Sequence, residues 1–357
     1  MKLPSALAPA GASSLSIRRS EATFPAYGAR RPLRVPCFET ATPADEVIKL
    51  SLEDPTIDVY SAQLWPGTFA ATSVLLRSLD ERNGSVFEVG CGPGLPSLAA
   101  LAHGAPAVTA TDWSRWALAL VEHAASTFYP GRAERLLTSQ LDIFDTSAPL
   151  PRANYLVAAD MLYDERLAEG VGGLVARFFI EREDDAGGAV AIVSDPNRLA
   201  GGGRAAFLRG IRSAASGTPW QHRAEALCSK AAFVHERMPS RWRSEKMGVC
   251  VLHGGGGGGV SGGEPFRWQV ESPQWQLERQ AGRSSRDEAV MERGRGGARR
   301  LAVCERLPQK GSSSASEGGA ERAESDEAEL EARRRASRQF ILHNTKRLMR
   351  SKKPGPG

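Results

Sequence analysis

From about residue 45 to residue 211, the spacing of hydrophobic residues switches repeatedly between the pattern of a strand and that of a helix. Short runs rich in β-branched residues, such as Val86–Val89 and Tyr155–Ala159, are typical of buried strands. Between such runs lie segments with apolar residues at helical spacing, of which residues 116–125 are a clear example. Alternating strands and helices of this size predict a doubly wound α/β fold, in which helices cover both faces of a mostly parallel, Rossmann-like sheet.

The predicted elements follow one another along this part of the chain. The predicted strands are residues 86–89, 108–110, one within 136–144, 155–159, 189–194 and 247–253. The predicted helices are residues 64–79, 96–102, 116–125, 167–179 and one that begins at residue 205. Residues 47–54 alternate between apolar and polar side chains, which predicts an edge strand or an extended lead-in to the domain.

The two ends of the chain differ in composition from its middle. Residues 1–40 are rich in serine and arginine, and Glu21 is their first acid, which predicts disorder and resembles an organelle transit peptide for a chloroplast or mitochondrion. Residues 255–357 are rich in Gly, Ser, Arg and Glu, which predicts a mostly disordered tail. A folded domain is therefore expected over residues 41–254.

Charge and residue spacing narrow the class of protein. The net charge of +5 on 357 residues is mild and lies largely near the ends, so no nucleic-acid partner is expected. The five cysteines and six histidines lack the spacing of a disulfide framework or a metal site, so no metal is expected. No apolar run approaches the roughly 18–20 residues that span a bilayer. We expect a monomer without a membrane partner.

A glycine-rich turn follows the first strand of the predicted sheet. Its pattern is Glu88-x-Gly90-x-Gly92-x-Gly94, and Leu95 stands where a dinucleotide-binding fingerprint has its third glycine. Structural turns also collect glycine, so the pattern alone is weak. In this context it indicates a nucleotide cofactor, and Leu95 makes a dehydrogenase the least supported alternative.

Acidic residues follow the next two strands of the predicted sheet. Asp112 lies 20 residues after Gly92, where a carboxylate can accept hydrogen bonds from both hydroxyls of a ribose, although NAD enzymes share this feature. Trp113 would lie against an adenine or simply pack. Asp142 and Asp145 follow the third strand, and either could simply cap a turn.

This order of motifs resembles class I methyltransferases that use S-adenosylmethionine. The resemblance implies that the glycines let the backbone pass beside the methionine part of the cofactor, and that Glu88 organises the loop and orients the amino group. It also implies that Asp142, in preference to Asp145, accepts a hydrogen bond from the adenine amine, and that the Ile143 backbone bonds the ring. S-adenosylmethionine is therefore the expected cofactor.

Two further segments narrow the resemblance. Asp160 and Tyr163 form a D-x-x-Y segment after the fourth strand, and Trp65 lies in a Leu-Trp-Pro sequence upstream of the glycine loop. These segments resemble family 16 of these enzymes, which contains protein-lysine methyltransferases and nicotinamide N-methyltransferase-like relatives. The resemblance implies that Trp65 and Ala159 lie beside the cofactor, and that Asp160 and Tyr163 line the methyl-transfer pocket. Residues 195–198 are similar to the D-P-x-R of the branch that includes the electron-transfer-flavoprotein β-subunit lysine methyltransferase.

The resemblance covers residues 60–208, about two fifths of the chain, and implies a protein-lysine N-methyltransferase. Asp160 would attract the incoming ammonium and Tyr163 would supply a hydroxyl or a wall, although Asp160 could instead cap the helix that follows it. A small-molecule N-methyltransferase remains open. A non-catalytic cofactor-binding protein also remains open, because two strands normally finish such a sheet and only residues 247–253 are indicated.

Overall fold

The computed structural model describes residues 2, 15–25, 31–53, 58, 60–182, 188–197, 199, 202–235, 247–254 and 276–279. The chain divides into two units, Met1–Gln280 and Ala281–Gly357. All described residues belong to the first unit. Residues 255–275 and 280–357, for which disorder is predicted, lie outside the described residues. Arg198, the last residue of the segment similar to D-P-x-R, lies outside them as well.

The described part of the chain contains ten strands and seven α-helices. The strands are β1 (Ile17–Phe24), β2 (Leu33–Thr40), β3 (Val86–Val89), β4 (Val108–Asp112), β5 (Leu136–Gln140), β6 (Tyr155–Ala159), β7 (Val190–Asp195), β8 (Val234–His235), β9 (Gly248–His253) and β10 (Gln276–Arg279). The helices are α1 (Ala44–Glu53), α2 (Pro66–Glu81), α3 (Leu95–His103), α4 (Arg115–Phe128), α5 (Glu165–Ile180), α6 (Gly202–Ala215) and α7 (Gln221–Lys230).

A seven-stranded sheet forms the centre of the fold. Its strand order is β5-β4-β3-β6-β7-β9-β8. Neighbouring strands from β5 to β7 are parallel, whereas β9 is antiparallel to both β7 and β8. The strand order reverses between β3 and β6, and ligands of such sheets bind beyond the carboxyl ends of the strands at this point. The predicted doubly wound, mostly parallel α/β fold is confirmed.

Helices cover both faces of this sheet, and each face has its own hydrophobic core. Tyr155, Val157 and Ala159 of β6 belong to the core formed with α2, α3 and α4. Leu156 and Ala158 belong to the core formed with α5, α6 and α7. Because successive side chains of a strand point to opposite faces, a strand buried on both sides is apolar throughout, which is why β6 was recognisable in the sequence.

Residues 47–54 differ from the predicted edge strand, because they lie largely in the helix α1. Val47 and Ser51 are buried and Leu50 packs against the same core. These positions are three and four residues apart and therefore share one face of a helix. Over so short a segment, the apolar positions fit the period of a strand as well as that of a helix, and packing against the core selects the helix.

Within the first forty residues, the described segments 15–25 and 31–40 also differ from the predicted disorder. β1 pairs with β2, and both strands contribute buried residues, among them Ile17, Phe24 and Val35. Ser20, Ala22 and Phe24 are buried while the residues between them are not fully buried. This alternation of period two is a strand pattern, and a prediction from average composition does not see it.

The C-terminal tail contributes one described strand to the same region. β10 pairs antiparallel with β1, so that β10, β1 and β2 form a second, three-stranded sheet. The prediction of a disordered tail is therefore wrong for Gln276–Arg279. Pairing with a strand some 250 residues away is a long-range contact that local composition does not report.

Two strands finish the central sheet, as the resemblance implied. The predicted strand at residues 247–253 corresponds to β9, and β8 pairs with it through only two residues. Two residues are too few to give a recognisable periodicity, so the sequence did not indicate β8. Among the described residues, no helix has both the length and the apolar composition needed to cross a membrane.

Candidate functional site

The glycine loop connects β3 to α3 with three residues in the left-handed region. Gly90, Gly92 and Gly94 have φ angles of 62°, 51° and 71°. A Cβ atom on Gly94 would lie 2.5 Å from Val121 Cγ2 of α4, and one on Gly90 would lie 2.3 Å from Met161 Sδ. The left-handed backbone therefore favours glycine at both positions, and the close contact with Val121 adds a packing requirement at Gly94.

Glu88 joins the end of β3 to the first turn of α3. Its Oε2 atom accepts hydrogen bonds from the Ser97 backbone N–H, at 2.9 Å, and from the Ser97 hydroxyl. Burial raises the pKa of Glu88 to about 8, against the lowering effect of these bonds. Glu88 thus links the strand before the glycine loop to the helix after it, and its carboxyl group is largely protonated at neutral pH unless a cation binds beside it.

Asp112 connects the carboxyl ends of β3 and β4. Its Oδ2 accepts from the Gly92 backbone N–H at 2.9 Å, and its Oδ1 accepts from the Ser114 N–H at 2.8 Å. Burial raises its pKa to about 7. Trp113, the next residue, is 46% exposed, and its carbonyl oxygen accepts a hydrogen bond of 2.9 Å from Gln140. An exposed indole beside a loop-binding carboxylate suits the predicted contact with a nucleobase.

A short turn preceding α2 lies over the glycine loop. Tyr60–Ala62 forms a 3₁₀ helix, and the Ser61 carbonyl oxygen lies 3.3 Å from the position of a Cβ atom on Gly92. The Trp65 indole N–H donates to the Tyr60 carbonyl oxygen at 2.7 Å. Asp58 Oδ1 accepts from the Tyr60 N–H at 2.9 Å. The turn therefore brings Trp65 to the same region as the glycine loop.

Asp160 contacts the start of α2. Its Oδ2 accepts from the Gly67 backbone N–H at 3.0 Å, and its own N–H donates to the Ser194 carbonyl oxygen at 2.9 Å. Asp160 has a φ of 61°, an uncommon value for a residue with a side chain. The helix after it is capped by Asp164, whose Oδ1 accepts from the Leu167 N–H at 2.9 Å. The alternative that Asp160 caps that following helix is therefore wrong, because it caps α2.

Tyr163 belongs to an aromatic cluster with Tyr60 and Trp65. The Tyr60 ring centroid is 5.8 Å from that of Tyr163 and 5.8 Å from that of Trp65. Burial raises the pKa of the Tyr163 hydroxyl, and the nearby carboxylates of Asp58 and Asp112 raise it further. The hydroxyl is therefore neutral at physiological pH and can donate a hydrogen bond.

Asp58 and Tyr60 are the residues of this region that the sequence reasoning missed. They belong to no recognisable motif, and Asp58 lies before the turn whose fold brings it near Tyr163 and Asp112. Burial also raises the pKa of Asp58. The one available signal was the occurrence of Tyr60 and Trp65, two aromatic residues just ahead of a helix.

The two candidate adenine-binding acids, Asp142 and Asp145, lie in the segment after β5 and differ in their burial. The Leu141 N–H donates to the Asp112 carbonyl oxygen at 3.1 Å, so this segment starts beside β4. Asp142 is half-buried, and its Oδ1 accepts from the Phe144 N–H at 2.9 Å. Asp145 is exposed and accepts from the Ser147 hydroxyl at 2.6 Å. Ile143 and Ala159 lie at this same carboxyl edge. Ile143 is partly buried against the core formed with α5, α6 and α7, and Ala159 is buried in the core on the other face of the sheet.

Two other sequence features have structural explanations. Asp195, the first residue of the segment similar to D-P-x-R, accepts a hydrogen bond of 2.7 Å from Arg204 Nε of α6, which also forms an ion pair with it. Burial raises the pKa of the Cys91 thiol in the glycine loop well above its ordinary value, which disfavours the thiolate that a nucleophile would need. Cys91 instead fills a tight position between glycines.

Comparisons with known proteins concern the architecture. No protein-family model matches the sequence, and no curated protein matches it. The SAH-bound methyltransferase PaMTH1 of Podospora anserina is 13% identical, with 59% of this chain and 88% of that chain covered and a TM-score of 0.33. The ribosomal protein L11 methylase of Lactobacillus delbrueckii subsp. bulgaricus is 16% identical, with 52% and 77% covered and a TM-score of 0.31.

A third solved structure, TrmN from Thermus thermophilus, is 20% identical, with 51% of this chain and 47% of that chain covered and a TM-score of 0.33. The strand order and the loop at its switch point define a Rossmann-like, doubly wound α/β protein with a nucleotide-type crevice.

Proposed function

We propose that this protein is a methyltransferase that uses S-adenosylmethionine. The observation that carries the proposal is the hydrogen bond of 2.9 Å from the Gly92 N–H to Asp112, which holds a left-handed glycine loop against the next strand at the switch point of the sheet. Glu88, Asp142 and Trp113 lie on the loop or at the same carboxyl edge. Ligands of doubly wound sheets bind in this crevice.

The charge of the site supports this cofactor over a dinucleotide. Glu88 and Asp112 are buried carboxyl groups with pKa values raised to about 8 and about 7, and Asp58 is raised as well. A pyrophosphate would add negative charge beside them, whereas S-adenosylmethionine brings a sulfonium and an ammonium group. Leu95 is fully buried at the start of α3, and the close helix contact of this loop is made by Gly94.

We infer further that the substrate is the side-chain amine of a lysine in a protein. When bound, S-adenosylmethionine would supply an electrophilic methyl group on its sulfonium. The substrate ammonium would first lose a proton to solvent, and the neutral nitrogen would then bond to the methyl carbon as the carbon–sulfur bond breaks and S-adenosylhomocysteine leaves. The aromatic cluster of Tyr60, Trp65 and Tyr163 suits a cationic side chain. Asp160 places a carboxylate at the end of β6, where it holds the start of α2 and attracts the ammonium before it loses its proton.

A small-molecule amine fits the same chemistry and remains the second candidate substrate. The reason for considering a non-catalytic protein was the apparent lack of a final strand pair. Both final strands are present as β8 and β9, so that reason no longer applies.

The cofactor assignment is tested with the full-length protein, by calorimetric titration with S-adenosylhomocysteine. Gly92→Arg fills the space beside the loop and is expected to weaken binding at least about 100-fold, because a large side chain replaces ligand volume. Gly217→Arg is the matched control, since Gly217 has a similar φ of 72° but nothing within 4 Å of its Cβ position. Equal affinity of both variants would contradict the site assignment.

The substrate class is tested with methyl-labelled S-adenosylmethionine and an extract of the source cells, again with Gly92→Arg as the control. Label in a protein band, absent from the control, supports lysine methylation and identifies the substrate. Label confined to the dialysable fraction moves the proposal to a small amine. Cofactor binding without label in either fraction would count against an enzyme.

A further inference from the structure

Glu39, near the end of β2, connects the N-terminal strands to the segment before α2. Its side chain is fully buried, and its two oxygens have different partners. Oε1 accepts from the Leu64 backbone N–H at 2.9 Å. Oε2 accepts from the Ser20 hydroxyl of β1 and lies 3.8 Å from Arg18 Nε. One carboxylate thus joins both N-terminal strands to a residue adjacent to Trp65.

The contact with Leu64 fixes the turn that covers the glycine loop. Trp65 follows directly, and its indole holds the Tyr60 carbonyl oxygen at 2.7 Å. Ser61, inside this turn, places its carbonyl oxygen 3.3 Å from the Cβ position of Gly92. A displacement of Leu64 would therefore be passed to the part of the turn that faces the loop.

The same strand supports the two helices that carry the rest of the site. β2 packs against α3 and α4, which begin directly after the glycine loop and shortly after Asp112. The Phe38 ring stacks on His123 of α4 with centroids 4.6 Å apart, and lies 5.0 Å from the Phe128 ring. Leu64 before α2, the helix after the glycine loop and the helix after Asp112 are thus all in contact with β2.

We propose that Glu39 is a positioning residue of the cofactor site, through which the N-terminal sheet holds the turn Tyr60–Trp65 against the glycine loop. A buried carboxylate costs free energy unless its hydrogen bonds offset its desolvation, and here one of those bonds is a charge-assisted bond to a backbone amide. The inference takes its ligand from the proposed function, but the contact with Leu64 does not depend on it.

The test compares three full-length variants with the wild type. Glu39→Leu removes the acceptor of the Leu64 N–H, and Glu39→Gln keeps a side-chain oxygen that can accept this bond. Ser20→Ala removes only the hydroxyl donor on β1 and leaves Arg18 in place. Hydrogen exchange of residues 60–67 is measured without ligand, with α5 as the internal reference. The affinity for S-adenosylhomocysteine is measured by calorimetry.

We expect Glu39→Leu to raise exchange in residues 60–67 but not in α5, and to bind S-adenosylhomocysteine about tenfold more weakly, as the loss of one hydrogen bond to a charged group implies. Glu39→Gln and Ser20→Ala should stay within about threefold of the wild type, which is below the effect of one such bond. The proposal is overturned if Glu39→Leu changes neither quantity, or if Ser20→Ala is as defective as Glu39→Leu. Failure of the wild type to bind the ligand would reject the proposed function, while the exchange comparison would still decide the role of Glu39.

Discussion

The packing of the glycine loop against α4 can be tested by adding a single methyl group at Gly94. The Cβ atom of Gly94→Ala would lie 2.5 Å from Val121 Cγ2, well inside van der Waals contact, at a backbone φ of 71°. Valine in a helix has one strongly preferred χ1 rotamer, so Val121 cannot turn aside at little cost. The substitution therefore combines backbone strain with overpacking.

The two contributions can be estimated separately. A non-glycine residue in the left-handed region costs about 1–2 kcal/mol, and overpacking of a close contact costs about 1–3 kcal/mol. We therefore expect Gly94→Ala to lower the free energy of unfolding by about 2–5 kcal/mol. Gly217→Ala isolates the strain, because Gly217 has a φ of 72° and open space around its Cβ position.

Urea unfolding of Gly94→Ala, Gly217→Ala, Val121→Ala and the double variant Gly94→Ala/Val121→Ala measures both contributions. The double variant should be more stable than the sum of the two single changes predicts, by about 1–3 kcal/mol, since it removes the clashing methyl groups. If Gly94→Ala costs no more than Gly217→Ala, the close approach of the loop to α4 is wrong. So is the inference that Gly94 makes the tight helix contact.

Two further predictions concern the N-terminal sheet. Burial lowers the pKa of His123, so the unfolded state binds a proton at this residue more readily than the folded state does. The stability of the protein should therefore fall as the pH drops below about 6.5, the ordinary pKa of histidine. The melting temperature of His123→Gln should change less between pH 7 and 5 than that of the wild type, and parallel profiles would reject this. Removal of residues 1–40 exposes the sides of α3 and α4 that pack against β2, so it should lower the melting temperature and raise the binding of a hydrophobic dye. An unchanged melting temperature would show that the N-terminal strands are dispensable for stability.

The sequence alone determined the central sheet apart from β8, and it indicated where the candidate cofactor crevice lies. β3 and β6 are apolar throughout because both their faces are buried, and the glycines of the loop answer a local requirement for left-handed backbone and close approach. Glu88 and Asp112 follow from their positions at strand ends. Each of these signals lies within a few residues of the feature it specifies, so no knowledge of the tertiary contacts was needed.

Only the tertiary structure decided the features that depend on residues distant in the chain. The sequence pattern of α1 fits a helix or a strand, and contact with the core selects the helix. Asp160 contacts Gly67 across 93 positions of the chain, so its choice of helix to cap could not be read from its neighbours. Glu39 reaches Leu64 only because β2 folds onto α3 and α4, an arrangement that the serine- and arginine-rich composition of the first forty residues conceals. Local periodicity specifies elements, whereas the pairing of a buried polar group depends on which elements the fold brings together.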